Sequence, residues 1–481
     1  MDDVPPLTDR LAAHERGVAR DLELLGLPPA NWPATATGPD GAPLLDVLVA
    51  GAGMYGVAAA GALLLKGIRN LLVLDAAAEG QEGPWVTYAR MQTLRSPKHL
   101  PGIALGIPSL TFRAWYEARF GEADWAALYK IRNAEWQDYI LWVRRRLGLP
   151  VRNGVAVRRL RPQAGFVEAE LSTGEVMRAR RVVLATGRPG TGGFALPDGI
   201  DPALWPDLAA HTGEAIDFDR LAGRSVAVIG AGASAWDNAA TALERGAARV
   251  EMHVRRSSLP QINKGRGSAH PGFFEGWAAL PPAEKWRLLA WLDVVKAPPP
   301  HETVLRTLRQ PGFHIRFGSR LQQARREGEA VALRFEDGGE ERADFLILGT
   351  GFTVRLEGMA ELAGLAPSIA TWGDRYRPPA GEENGGLAAF PWLGEGFELE
   401  EKVAGSCPGL SRIHLFNHAA AASIGTIASD IPGASTGAER LAHRMAARFF
   451  HEDFAVMRAR LEAFDEPELA PTPFFVPRDA G

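Results

Sequence analysis

Residues 46–76, DVLVAGAGMYGVAAAGALLLKGIRNLLVLDA, decide the fold class of this chain. An apolar run, Asp46–Ala50, stops at Gly51-Ala52-Gly53-Met54-Tyr55-Gly56. Small and apolar residues then continue to Lys66-Gly67, and a second apolar run ends on Asp75. Short apolar runs bounded by glycine read as buried strands, and the longer stretch between them reads as a helix. Gly51 allows the tight turn, Gly53 lets a diphosphate approach the backbone, and Gly56 lets helix and strand pack closely. The helix start offers free N–H groups and the positive end of its dipole to phosphates. Asp75 follows Gly56 by about 20 residues, where an acid accepts ribose hydroxyls. Strand, turn, helix and acid coincide, so the stretch reads as a dinucleotide site.

A near-copy stands at 225–256, SVAVIGAGASAWDNAATALERGAARVEMHVRR, with Gly230-Ala231-Gly232-Ala233-Ser234-Ala235 as its turn. Gly67 and Gly246 close the two helices at the same offset, where a left-handed cap favours glycine. No acid ends the second strand of the copy; Val254-Arg255-Arg256 stands there instead. Arginine pairs with a 2′-phosphate that an acid would repel, so this site should prefer NADPH to NADH. Downstream, RVVLATGRPG (181–190) and DFLILGTGFT (344–353) are apolar runs that stop at Thr186-Gly187 and Thr350-Gly351. The expected fold is α/β with two Rossmann-type dinucleotide-binding domains. The first is made of 45–200 and 341–481, with the second, 201–340, inserted into it; 1–44 is an N-terminal helix (8–26) and a Gly/Pro/Ala linker. A small β-layer should turn at Ser172-Thr173-Gly174. Residues 257–310, rich in Pro and Trp, read as a helical insertion that is either extra core or a lid.

The remaining composition excludes several classes. With 53 basic and 57 acidic residues, the chain lacks the basic excess of a nucleic-acid binder. Its one cysteine, Cys407, excludes an internal disulfide and a CxxC redox pair. No apolar run reaches the ~20 residues of a membrane span. The start, MDDVPPLTDR, lacks the basic and apolar regions of a secretory signal, so a cytoplasmic location is expected. Gly232-x-Ser234-x-Trp236 lacks the final glycine of a nucleophile elbow. His414 and His418 are four apart but have no third ligand, so no metal is expected. The tail 467–481 reads as packing on its own domain or on a neighbour, and the oligomeric state stays open.

Two glycine turns and two Thr-Gly strand ends on one chain resemble the glutathione-reductase-like flavoproteins. Within them the chain is similar to the class B flavin monooxygenases, which include flavin-containing monooxygenases, Baeyer–Villiger enzymes and amine N-hydroxylases. Asp344 to Phe352 resembles the DxxxLATGY signature of that group, and Gly83-Pro84-Trp85 its GGxW element. MQTLRSPKHL (91–100) and GIPSLTFRAWYEARFG (106–121) are similar to the segment under the flavin of N-hydroxylases. The FxGxxxHxxxW element is only partly present in WPDLAAHTGEAIDF (205–218): His211 fits, Trp205 and Asp207 do not, and the last Trp is missing.

The resemblance implies FAD in the first domain, held by Gly51, Gly53, Met54, Tyr55, Gly56, Asp75, Trp85, Gln92, Thr186, Gly187, Thr350, Gly351 and Asn417. NADPH would meet Gly230, Gly232, Ala233, Ser234, Ala235, Arg255 and Arg256. Gln92 and Lys98, which the resemblance brings to the isoalloxazine or the nicotinamide, and His211, which it brings to the domain linker, are the catalytic candidates; His211 is equally readable as structural. The implied reaction is reduction of flavin by NADPH, formation of a C4a-(hydro)peroxide with O2, and hydroxylation of a small molecule, with the protein excluding water. The stretch 415–433 is similar to that of FAD-dependent urate hydroxylases, which puts urate beside amines as a substrate class, while the residues leave amine, sulfide, ketone and purine substrates open. A disulfide reductase is excluded by the single cysteine. A reductase serving another acceptor, or a nucleotide-binding protein without turnover, stays open.

Overall fold

The computed structural model describes residues 7–468 and 473–474, so most of the tail 467–481 lies outside the described residues. The chain opens with α1 (Leu7–Leu24) and enters a parallel sheet through β1 (Leu45–Ala50). Helix α2 (Met54–Leu65) returns it to β2 (Leu71–Asp75) beside β1. Val47, Leu48 and Val49 are all fully buried, which is why β1 reads as an unbroken apolar run rather than an alternating one: both faces of the sheet are covered. Helices α3 (Phe112–Phe120), α4 (Glu122–Ala127) and α5 (Asn133–Arg146) follow, and Phe112, Trp115, Trp136 and Tyr139 pack their rings together between α3 and α5.

Strand β3 (Val151–Asn153) adds to β2, and β4 (Val157–Pro162), β5 (Val167–Leu171) and β6 (Val176–Leu184) form an antiparallel meander. The β5–β6 turn falls at Ser172–Gly174, with Gly174 at φ +83°. β6 does double duty: Val176–Ala179 pairs antiparallel with β5, while Ala179–Leu184 pairs parallel with β1.

The second unit repeats this plan. β7 (Ala209–His211), β8 (Ser225–Ile229), α6 (Ala233–Glu244) and β9 (Arg249–Val254) are followed by α7 (Pro271–Gly276), α8 (Pro282–Val295) and α9 (His301–Leu308). β10 (Phe313–Phe317), the meander β11 (Leu321–Glu327), β12 (Ala330–Phe335) and β13 (Glu340–Ala343), and then β14 (Phe345–Leu348) complete it. The chain returns through α10 (Trp372–Arg375), α11 (Gly385–Ala388), β15 (Ile413–Leu415) and α12 (Ala421–Ile424), and ends in α13 (Ala434–Glu452) and α14 (Phe454–Glu462). β15 joins β6 in parallel as β7 joins β14, so the parallel orders β3-β2-β1-β6-β15 and β10-β9-β8-β14-β7 correspond strand for strand. Among the described residues no helix is long and apolar enough to cross a membrane.

A buried ionic network ties the first unit to its C-terminal helix. Arg180, on β6, donates to Asp453 Oδ1 at 2.6 Å and Oδ2 at 3.0 Å, and lies over the Phe449 ring. Asp453 Oδ2 also accepts from Ala34 N at 2.8 Å, which draws the N-terminal linker into the same knot.

Candidate cofactor and active site

The glycines of the two turns separate by what holds them bare. Gly51 has φ +105°, and a Cβ there would stand 2.4 Å from Ala185 O. A Cβ on Gly56 would stand 1.7 Å from Gly51 O. Both are glycine because the protein leaves no room. Gly53 is different. Its backbone is extended (φ −68°, ψ −172°), and a Cβ would meet only the Gly83 backbone, its Cα at an ordinary 3.6 Å and its N at 3.8 Å. Gly232 repeats the case, with φ −71° and nothing within 4 Å. Packing does not explain the bareness of Gly53 or Gly232, and it leaves their backbone open to the approach of a ligand. Neither α2 nor α6 carries a side-chain N-cap, so no side chain at the cap claims their first-turn N–H groups. Both turns therefore fit a dinucleotide diphosphate.

The copies also differ in a compensating way. Third-position Gly56 faces Ala185, whereas Ala235 faces Gly349; a Cβ on Gly349 would lie 2.4 Å from that of Ala235. The second unit keeps its methyl on the helix and removes it from the strand end.

Around the first turn, Asp75 accepts from Ala52 N at 2.6 Å and Ala77 N at 2.7 Å. Its carboxylate thus holds the loop and keeps lone pairs for a hydroxyl. Met54 is buried as the first residue of α2. Tyr55 donates to Asp430 O at 2.9 Å and sets its ring edge-on to Phe416. Trp85, beside Gly83, keeps a buried Nε1 without a partner, as does Thr350 its Oγ1. Such orphaned polar atoms next to a bare glycine cradle suit a polar ligand. Asn417 donates to Thr186 Oγ1 at 3.2 Å and accepts from Ala419 N at 2.9 Å, joining the β6 end to the 415–433 stretch. Gly187 and Gly351 both adopt positive φ where the chain leaves its strand.

Around the second turn, Ala233 and Ser234 open α6, with Ser234 exposed, and Gly230 has φ +114° against Gly349 O. Arg255 is exposed at the end of β9, and Arg256 donates to Val294 O at 2.7 Å. Asp344 lies at the opposite end of its strand, where it accepts from Ser225 N and Oγ, both at 2.8 Å; the signature acid clamps β14 to β8.

The three catalytic candidates are not brought together. Lys98 donates to Trp125 O at 2.7 Å and Ala126 O at 3.3 Å and lies over the Trp125 ring, which commits it to the end of α4. Gln92 is exposed at the seam between the units, where a cavity of about 210 Å³ is also lined by Arg95, Lys130, Glu302, Thr303 and Arg306. His211 is fully buried at the double crossing between the units. There the outgoing and returning segments run antiparallel, with Ala195 N donating to Gly351 O at 2.9 Å and Thr353 N to Gly193 O at 3.1 Å. His211 stacks on Phe194 at 4.1 Å and meets Phe352 edge-on at 5.5 Å. Its Nδ1 accepts from Gly213 N at 3.0 Å, and burial pushes its pKa down to about 4, so the ring is neutral.

Several residues at the seam carried no local sequence signal. Asp237 on α6 accepts from Arg95 at 3.0 Å and from Thr303 Oγ1 at 2.9 Å, and burial pushes its carboxyl up against the pull of Arg95. Arg306 donates to Arg90 O at 2.9 Å, and Glu302 accepts from Tyr129 and pairs with Lys130, both at 2.8 Å. The 257–310 insertion is docked rather than free. Trp277 donates to Ala422 O at 3.2 Å, and buried Lys285 donates to Ala278 O at 2.8 Å and Ser423 O at 3.0 Å, its pKa lowered by burial to about 8. Trp286 packs with Trp372 and Ala422, while Trp291 is exposed.

His414 and His418 point to different partners, Gly396 O and the Phe390 ring. A group with metal-ligating atoms within reach is Glu251, His253 and Glu341, but Arg249 and Arg316 already hold Glu251.

With this geometry in hand, the comparisons are decisive. A FAD-dependent urate hydroxylase of Xanthomonas campestris pv. campestris is 39% identical over 461 residues, covering 95% of this chain and 97% of that one. The chain belongs to the class B-like flavin monooxygenases. It is an FAD-dependent oxidoreductase. Residues 48–267 also match the pyridine nucleotide-disulphide oxidoreductase family, although this chain has one cysteine and so no redox pair. The fold is that of the ornithine N-hydroxylase of Kutzneria (TM-score 0.65, 16% identity) and the L-lysine 6-monooxygenase of Pseudomonas syringae (0.63, 19%). Each likeness covers 84% of this chain, and 100% and 99% of the other chain respectively.

Proposed function

We propose that this monooxygenase hydroxylates urate at the expense of NADPH and O2, as a cytoplasmic enzyme. Support for the substrate comes from 39% identity, sustained along 95% of the chain, to a protein named for that activity. Support for the location is the single cysteine, a composition suited to a reducing compartment. Bound FAD supplies the redox and oxygen chemistry. The protein's own part is positioning. The bare backbone at Gly53 and the uncapped start of α2 receive the FAD diphosphate, and Asp75 orients the adjacent ribose. Gly232 and the start of α6 do the same for NADPH. Arg255, exposed and without a side-chain partner among the described residues, meets the 2′-phosphate. The docked insertion, through Trp277 and Lys285 on residues 421–425, walls the side of the site and keeps water away from it.

The observation that carries the two-nucleotide reading is that Gly53 and Gly232 are bare for no reason internal to the protein. The test is to follow the urate ultraviolet band, NADPH oxidation and O2 uptake together. One NADPH and one O2 consumed per urate lost is the expected stoichiometry. NADPH oxidation that ignores urate, with urate intact, removes the substrate assignment and leaves the family. In the same assay Arg255→Ala should raise the KM for NADPH by about 10-fold or more, as loss of a charge-assisted pair does, and leave NADH unchanged. Equal effects on both nucleotides would remove Arg255 from the 2′-phosphate.

A further inference from the structure

Arg188 follows directly on Thr186-Gly187 and lies where the chain leaves the first unit. Its backbone is fixed: Arg188 O accepts from Thr191 N at 3.2 Å, and Thr191 Oγ1 lies 2.7 Å from Arg188 O and 3.0 Å from Thr353 O on the returning segment. Its head is not. The side chain is exposed, and among the described residues no carboxylate or carbonyl takes any of its N–H donors. A guanidinium on a rigid base, left unpaired, is poised for an anion that the protein does not supply.

The surroundings narrow the anion. Four groups from separate parts of the chain feel the Arg188 charge: Tyr55, Tyr88, His418 and Asp430. The segments of Tyr55, His418 and Asp430 are tied to one another and to that of Arg188 by Tyr55 on Asp430 O and by Asn417 on Thr186. His418 keeps a buried Nδ1 without a partner and sets its ring edge-on to Phe390 at 6.0 Å. Burial and the Arg188 charge both hold that imidazole neutral, so Nδ1 can accept or donate. Burial also pushes the Asp430 carboxyl up, although Arg188 opposes it. The chemistry gathered here is one planar cation, aromatic faces and a neutral imidazole with a free nitrogen. That set matches a planar, anionic nitrogen heterocycle. Its oxygen-bearing edge accepts two parallel N–H bonds from a guanidinium, and its ring N–H or nitrogen meets the imidazole.

We propose that Arg188 is the specificity-determining cation of the substrate site, binding the anionic edge of a planar nitrogen heterocycle of the urate class, with His418 as its second polar contact. The proposal deepens the urate reading and rests on it. One other anion could claim the same charge, the diphosphate of FAD, and the experiment separates the two.

Arg188→Gln and Arg188→Lys are compared with wild type as full-length protein in the presence of FAD. Three quantities are read: flavin bound per chain, the urate dissociation constant from the change in the flavin spectrum without NADPH, and KM against kcat. The expected result for Arg188→Gln is full flavin content, unchanged KM for NADPH, and a urate dissociation constant and KM raised about 10–100-fold, the range for a lost charged hydrogen-bond pair. Arg188→Lys should recover part of that loss through charge alone. Loss of flavin in Arg188→Gln assigns the charge to the diphosphate and overturns the proposal. Full flavin with unchanged urate affinity overturns it too. A wild type that does not bind urate overturns both this proposal and the urate reading; a wild type that binds it, with an indifferent variant, overturns this one alone.

Discussion

Gly53→Ala puts the dinucleotide reading to a test that separates folding from binding. The backbone at Gly53 is one that any residue adopts, and the added Cβ would meet only the Gly83 backbone, its Cα at 3.6 Å and its N at 3.8 Å. Replacing an N-cap glycine by alanine costs up to about 1 kcal/mol of helix stability. Restricting the unfolded chain returns about 0.4–1 kcal/mol. The apo-protein should therefore change by less than about 1 kcal/mol. Binding should respond very differently. The methyl would occupy the space through which the diphosphate reaches the N–H groups of α2. Each hydrogen bond to a charged group is worth about 1.5–3 kcal/mol, so losing two weakens FAD about 100-fold or more. Gly56→Ala is the control, since its Cβ would stand 1.7 Å from Gly51 O and something must move. Overpacking of that kind costs about 1–3 kcal/mol and sometimes more, in the absence of any ligand. The assay is urea unfolding of flavin-free protein together with FAD titration by fluorescence. Flavin-free protein is essential, because FAD at 100 times its dissociation constant adds about 2.7 kcal/mol and would hide the distinction. A Gly53→Ala protein that binds FAD like wild type refutes the reasoning. So does one whose apo stability falls as far as that of Gly56→Ala, because packing would then explain Gly53 after all.

Two further predictions concern stability. Asp453→Ala strips the buried Arg180 of its closest carboxylate and orphans Ala34 N, so it should cost about 3–5 kcal/mol in urea unfolding; a loss near that of a surface pair would deny the network its role. The second concerns acid. Burial holds the pKa of His211 at about 4, below its ordinary value near 6.5, so the folded state favours the neutral ring. A depressed histidine contributes stability above the unfolded pKa and loses it as pH falls through the folded one. Between pH 6.5 and 4 the unfolding free energy of His211→Gln should thus fall less steeply than that of wild type, by about one proton's worth of slope. Superimposable pH profiles would mean that His211 titrates alike in both states.

The parts of the site legible in sequence are those whose cause is local. A tight turn, an approach of a ligand to the backbone, and the residue at a strand end each lie within about 30 residues of one another in a βαβ unit. The places of Gly51, Gly53, Asp75 and Arg255 in the turn and at the strand ends were legible for that reason. Even there the sequence did not distinguish the glycines that the fold demands from the glycines that only a ligand explains; that needs the 1.7 Å at Gly56 set against the 3.6 Å at Gly53. The seam and the closure of the first unit were illegible because their partners are far apart along the chain: Arg95 meets Asp237 across 142 residues, and Tyr55 meets Asp430 across 375. Neither pair leaves a period or a motif. Lys98 is placed by its segment, 91–100, near the flavin or nicotinamide; its ammonium lies on carbonyls in the last turn of α4, a contact with no sequence signal. Strands β7 and β15 are three residues each, too short for any alternation to register, yet they complete the correspondence of the two sheets.

That correspondence explains why one chain can hold two similar nucleotides without confusing them. The shared elements, a glycine turn at the end of the central strand and an uncapped helix start, fix where phosphates lie and are nearly the same in both units. What differs is what stands at the end of the next strand. β2 ends in an acid that also holds its own loop through Ala52 N, so replacing it would disturb the turn itself; β9 ends before an exposed arginine whose side chain holds no partner among the described residues. The acid thus has a task in the fold besides the ribose proposed for it, whereas the arginine has only the proposed 2′-phosphate. Nucleotide preference in the second unit should therefore be separable from stability, whereas in the first it should not. The same logic extends to the Thr-Gly ends: Ala185 and Gly349 differ because the methyl sits on the strand in one unit and on the helix in the other. The side-chain positions to which the described residues give no packing or partner, Gly53, Gly232, Arg255 and Arg188, are where binding is to be sought.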